Sequence, residues 1–187
     1  MRAFVVTPPA PVVTWADAAR HLSLGDDESD RALVEAQIAI ATASLDGPDG
    51  RLGRALGVQT LEARFDNFDC GSLRLPYPPV ISIVSVKYVD GTGAEQTIGP
   101  DQYEALGNSL VPTFGRTWPT PRWQREAIRV RYTAGYTTLP PAIRGAILLM
   151  VGDLYANRET TVPSGNVSAI PMSATVENLI APLRVYS

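Results

Sequence analysis

Few groups in this chain could do covalent chemistry, and their types limit what that chemistry would be. His21 is the only histidine and Cys70 the only cysteine among 187 residues. One imidazole cannot form a histidine pair for zinc, and no HExxH run exists. A serine or cysteine nucleophile would need His21 as its base, yet His21 falls where a short surface helix is expected. Asp66 and Asp69 bracket Asn67 and Phe68, and two carboxylates so placed could hold a cation or share acid–base work. Without a glycine-shaped loop or a third catalytic group they read as a polar turn, with a small hydrolase as the rival. Gly91-Thr92-Gly93 lacks the third glycine of a phosphate cradle and reads as a hairpin turn. The expectation is therefore no catalytic residue, no cofactor and no metal site. The chain reads as not an enzyme.

Charge is more informative than nucleophiles. Between Arg116 and Arg131 stand five arginines (116, 122, 125, 129 and 131) against Glu126, with Trp118 and Trp123 interleaved. Between Asp17 and Glu35 stand six acids (17, 26, 27, 28, 30 and 35) against Arg20 and Arg31. One reading makes both segments ordinary solvated surface. A second makes them complementary faces of neighbouring subunits, with Arg122, Arg125, Arg129 and Arg131 on one side and Asp26, Asp27, Glu28 and Asp30 on the other. Such patches set register and orientation, and heterologous contacts of this kind close into rings. That reading predicts weaker assembly with added salt and on Arg129→Glu. A third reading, DNA contact by the arginine–tryptophan stretch, sits poorly with a formal net charge of −3.

The elements that must position these residues change character twice along the chain. Residues 1–13 are proline-rich and extended. Thr14 to Asp17 has the form of a capping box opening a short helix to about Leu22. Val34, Ile38, Ala41 and Leu45 share one helical face, and the Gly47-Pro48 pair stops that helix. The middle alternates with period two: Ile128, Val130 and Tyr132 point one way, Arg129, Arg131 and Thr133 the other. Val80 to Val89 is β-branched, and Asp90-Gly91 turns it into Glu95 to Ile98. After Leu139-Pro140-Pro141 the helical period returns through Ile143, Ile147, Val151 and Leu154. The longest apolar run, Ala146 to Val151, is far short of the roughly 20 residues that span a bilayer. A soluble, cytoplasmically made chain without a leader is expected.

The fold class expected is α+β: an N-terminal helical hairpin and a long C-terminal helix form a helical core, with a small antiparallel β unit inserted between them. The domain boundaries expected are an extended arm over 1–13, a main domain over 14–159, and a flexible loop with a short helix and tail over 160–187. Within the main domain the helices cover 14–56 and 141–158, and the β-rich insertion covers about 59–136.

Several segments together resemble the head–tail connector (adaptor) proteins of siphophages and of phage-derived gene transfer agents. They are the acidic helix 26–45, Gly53-Arg54-Ala55-Leu56, Leu75-Pro76-Tyr77-Pro78-Pro79-Val80, Val130-Arg131-Tyr132-Thr133-Ala134-Gly135-Tyr136 and Leu154-Tyr155-Ala156-Asn157-Arg158-Glu159. Order and spacing carry the likeness, not any single motif. The resemblance implies a structural virion protein at the head–tail interface. It implies a dodecameric ring of the chain with itself, docked on the portal protein. The next neck component, a stopper or tail terminator, would sit below, and double-stranded DNA would pass through the lumen without sequence-specific binding. No membrane partner is implied. In relatives the C-terminal segment reaches into the portal, which makes Leu183, Arg184, Val185 and Tyr186 candidate portal-interface residues; the alternative packs Val176–Leu183 back on the helix at 141–158. The rival from another class is a β-rich, tail-associated module that binds carbohydrate or a receptor.

Overall fold

The computed structural model describes residues 1–25, 27–68, 71–157 and 173–185. Asp26, Asp69, Cys70, most of the expected loop at 160–173 and Tyr186 lie outside the described residues. Eight strands and four helices occur among those described: β1 (Arg2–Thr7), α1 (Trp15–Leu22), α2 (Arg31–Ala43), β2 (Gln59–Phe65), β3 (Leu73–Arg74), β4 (Val80–Val89), β5 (Glu95–Ile98), β6 (Tyr103–Leu106), β7 (Ser109–Pro112), β8 (Ile128–Ala134), α3 (Pro141–Ala156) and α4 (Ala174–Ile180). No helix among them is long and apolar enough to cross a membrane.

The strands form two antiparallel sheets, one ordered β1-β2-β8-β4-β5 and a smaller one ordered β3-β7-β6. In the larger sheet Leu61 stands opposite Tyr132, Ala63 opposite Val130 and Phe65 opposite Ile128. Alternation then puts these six on one face, and all are buried. They are joined by Leu73, Leu75, Val86 and Leu110 in a core of their own. A second core gathers Val34, Ile38 and Ala41 of α2, Ile143, Ala146, Ile147 and Val151 of α3, and Val176 and Ile180 of α4.

This corrects the expected fold class. The described helices are four and short, and α3, the longest of them, has 16 residues, about 24 Å at 1.5 Å per residue. No long C-terminal helix organises one helical core with a β unit hung from it. Two antiparallel sheets hold a separate core of comparable extent, and residues 2–7, expected within the arm, add the strand β1 to the larger sheet. The physical reason is that strands with one charged face look half-polar one at a time. Only pairing reveals that their apolar halves fuse into a single buried layer.

Local signals behave as their chemistry requires. Thr14 caps α1 reciprocally: its hydroxyl accepts from the Asp17 amide at 3.3 Å, and the Asp17 carboxylate accepts from the Thr14 amide at 3.2 Å. Gly135 has φ +120°, and a Cβ there would strike the Gly57 carbonyl. Close backbone approach is thus what joins the end of β8 to the segment entering β2. Asp46, just past α2, fastens the helical layer to that same corner. Its carboxylate accepts from the Leu56 amide at 2.6 Å and from Gln59 Nε2 at 3.1 Å. At the far side of the β core, the buried Tyr132 hydroxyl donates to the Pro76 carbonyl at 2.6 Å, tying β8 to the strap between the two sheets.

Candidate interaction surfaces

Among the described residues, the candidate catalytic groups His21 and Asp66 do not converge, and Asp69 and Cys70 lie outside them. His21 is exposed in the last turn of α1, its ring beside Gly152 of α3. Asp66 lies at the end of β2, where its carboxylate accepts from the Glu126 amide at 2.8 Å and so stitches a turn. β2 starts beside the helices, at the Asp46–Gln59 contact, and ends at Phe65, next to Asp66, so its length separates the two groups. Among the described residues, no group of three or more His, Cys, Asp or Glu could hold a metal ion.

The outward face of the larger sheet carries an ion-pair ladder instead. Register sets Glu62 opposite Arg131, and Arg129 between Arg64 and Lys87. Glu62 bridges Arg64 and Arg131, each at 2.9 Å, and Arg64 reaches on to Glu126 at 2.9 Å. Glu95 on β5 bridges Lys87 at 2.8 Å and Arg129 at 3.1 Å. Partial burial pushes the Glu62 carboxyl up, but hydrogen bonds from Arg131 and Arg64 outweigh it and hold the group below the usual carboxylate range. The Lys87 ammonium holds Glu95 low in the same way. Pairs as exposed as the Glu95 ones are screened by solvent and add little to stability, so the ladder shapes a surface more than it holds the fold.

The four candidate arginines therefore divide into two kinds. Arg129 and Arg131 are engaged within their own chain. Arg122 and Arg125 sit on the loop between β7 and β8 and make no ion pair among the described residues. Together with Asp66, Asn67 and Trp123 they line a cleft of about 330 Å³. This loop is pinned to the end of the sheet by the Arg122 amide, which donates to the Val89 carbonyl at 2.8 Å. Trp118 stacks on Phe68 with centroids 4.7 Å apart, whereas Trp123 and Phe114 stand fully in solvent.

The candidate acids cluster at the other end of the molecule, before α2. Asp27 accepts from the Ser29 amide at 2.9 Å, and Glu28 pairs with Arg31 at 3.3 Å. Asp30 accepts from the Tyr155 hydroxyl at 2.6 Å, which braces α2 against α3. The arginine loop and the acid cluster thus occupy opposite ends and do not meet within one chain.

Of the candidate tail residues, three lie on the body. The Val185 amide donates to the Leu52 carbonyl at 2.9 Å, Arg184 pairs with Glu177 at 3.2 Å, and Arg54 Nε donates to the Leu183 carbonyl. Gly53 has φ +62°, and a Cβ there would strike the Val185 carbonyl, so the tail lies against bare backbone. Val176 and Ile180 bury against the helical core as the packing-back alternative expected. Sequence reasoning missed β1 and the open strand edges; the aromatic and β-branched run Phe4-Val5-Val6-Thr7 was the signal available.

No protein-family model matches the chain, and no curated protein sequence matches it. Solved structures do. A chain from the neck of an empty gene transfer agent (GTA) particle, computed with C6 symmetry, aligns over 100% of this chain and 97% of its own length, with TM-score 0.77 and 21% identity. A chain from the virion of a native GTA particle aligns over the same shares with TM-score 0.76 and 20% identity. A chain from the neck of a native GTA particle, computed with C12 symmetry, aligns over the same shares with TM-score 0.69 and 20% identity. At this identity the likeness is one of fold, and it runs end to end.

Proposed function

We propose that the chain is a structural head–tail connector (adaptor) subunit of a tailed-phage-like or gene transfer agent particle. It forms a ring, twelve subunits in the reading preferred here, below the portal protein. The ring lengthens the DNA channel and offers a platform to the next neck component, a stopper or tail terminator. Its site of action is the virion, at the head–tail interface, and it performs no catalysis. The observation that carries this reading is the fold likeness to chains from GTA necks, which covers 100% of this chain and 97% of theirs. The separation of surface charge supports it as well. An arginine loop and an acidic cluster at opposite ends can meet only between copies, and a contact between unlike surfaces closes into a ring when the rotation allows. Because Arg129 and Arg131 are held by Glu95 and Glu62, the contact falls to Arg122 and Arg125 against Asp26, Asp27 and Glu28. The tail at Leu183, Arg184, Val185 and Tyr186 is the candidate portal contact, with Leu183 to Val185 released from the body on docking.

The test is imaging and mass measurement of the purified chain, alone and with its cognate portal. Rings or portal-bound collars are expected. The double substitution Arg122→Glu with Arg125→Glu should weaken assembly, as should raising salt, since screening shortens the reach of exposed charges. A chain that stays monomeric beside the portal, or an intact particle whose neck lacks it, would overturn the proposal.

A further inference from the structure

We propose that neighbouring copies join through the backbone of the larger sheet, β1 of one copy adding antiparallel to an uncovered half of β4 in the next. The proposal rests on the ring reading above and names the contact that builds the ring. β4 has ten residues, and β8 pairs along it from Val80 to Tyr88. On its other side β5 covers only Val86 to Val89. Val80 to Ser85 therefore presents an edge with no strand beside it among the described residues. At the opposite margin, β1 is paired to β2 alone. Outside these ladders, no other described segment makes a backbone hydrogen bond to residues 2–7 or 80–85.

Natural sheets blunt exposed edges with lysine, proline or an inward charge. Neither margin carries one: the open half of β4 reads Val-Ile-Ser-Ile-Val-Ser, and β1 after Arg2 reads Ala-Phe-Val-Val-Thr. Bulges can also protect an edge, but here they do the reverse. Ile81 and Val84 are the extra residues at two bulges against β8, and they are turned outward, 46% and 55% exposed. Across the sheet Phe4, Val5 and Val6 are 42% to 45% exposed. The stretches that stand level, Phe4 to Thr7 and Ser82 to Ser85, are four residues each and carry no charge.

Direction and height also agree. Every pairing in the sheet is antiparallel, so along the order β1-β2-β8-β4 the strands alternate and β1 and β4 run oppositely. A second copy displaced sideways would set its β4 antiparallel to β1, with no break in the alternation. The ladder runs Thr7–Thr60–Thr133–Ser82 and Val5–Leu61–Tyr132–Ile83, so Val5 to Thr7 stand level with the open half of β4. Arg2 stands level with Lys87, where β5 already covers the edge. The gap left by a short β5 is thus where a neighbour's β1 would arrive. Backbone bonds supply the adhesion in this mode of strand addition, and the side chains supply the register.

The experiment uses the full chain with Cys70→Ser and two single-cysteine variants, Phe4→Cys and Val84→Cys, both at exposed positions: Phe4 stands level with Ser85, beside which Val84 is the extra residue. Mixed and oxidised, they should form a disulfide-linked heterodimer that neither forms alone, since side chains of adjoining strands lie within reach of a disulfide. The chain carrying both should give a ladder of covalent oligomers ending at the ring. Separately, Val5→Lys and Val84→Lys should each lower the ring population by about tenfold or more at fixed concentration, with unchanged thermal unfolding. Rings that persist in both lysine variants without a mixed disulfide overturn the edge pairing and leave the ring reading standing. A disulfide trapped to the portal rather than to a second copy does the same. A wild-type chain that forms no ring, alone or on the portal, overturns both.

Discussion

Removing the carboxylate of Asp46 separates its hydrogen bonds from its charge. Asp46 stands between α2 and the start of β2 and accepts from the amide of Leu56, which is fully buried, and from the side-chain amide of Gln59, 2% exposed. Asp46→Ala strands both donors where water cannot reach them. An orphaned buried donor costs about 1–3 kcal/mol, and release of the carboxylate from its own burial offsets part of that, for a net loss of about 2–4 kcal/mol. In a domain of this size that lowers Tm by about 5–15 °C. Asp46→Asn should behave differently. It keeps an acceptor for Leu56, and its new N–H₂ can meet Gln59 Oε1, which is buried without a partner once that amide turns over. It also removes a charge from a poor place: burial pushes the Asp46 carboxyl above its ordinary value of 3.8, against the pull of hydrogen bonds from Leu56, Gln59 and Gly47. A raised carboxyl is destabilising while ionised, and the folded state takes up its proton before the unfolded state does. Wild type should therefore gain on Asp46→Asn as pH falls from neutral toward 3.8, and Asp46→Asn should be neutral or stabilising at pH 7. Urea titrations of the three proteins between pH 7 and 4 measure this. Equal losses for Asn and Ala, or a wild-type-to-Asn difference flat across that range, would refute it.

Two further outcomes follow from single contacts. Tyr132→Phe leaves the buried Pro76 carbonyl without its donor and should cost about 1–3 kcal/mol in urea unfolding, with the secondary structure intact; a loss below about 0.5 kcal/mol would mean the bond to Pro76 is replaced by water. Gly53→Ala drives a Cβ against the Val185 carbonyl from a left-handed backbone, so the Val185 amide, which donates to Leu52, should lose hydrogen-exchange protection while the amides of α3 keep theirs. Unchanged exchange at Val185 would show that the tail is held elsewhere.

Much of the local structure was legible because its causes are local. Thr14 and Asp17 satisfy one another's amides whatever surrounds them, whereas α2 stops at Ala43, with Ser44 as its cap, three residues before the expected Gly47-Pro48 stop. The alternation of Ile128 to Thr133 states which side chains are buried without naming the neighbour that buries them. The charge segregation was legible too, as counts along the chain.

Tertiary structure decided what those residues face. Arg129 and Arg131 look like Arg122 and Arg125 in the sequence, yet register places Glu95 and Glu62 beside the first pair and leaves the second on a loop. Residues 2–7 read as an arm until β2 offers them a ladder, and the open half of β4 exists only because β5 is short. Pairing partners in a sheet are set by contacts between segments far apart in the chain, and no period within one segment encodes which other segment will lie beside it. Helix caps and turns close over three or four residues and can be read singly; sheets, edges and ion-pair ladders close over the whole chain and cannot.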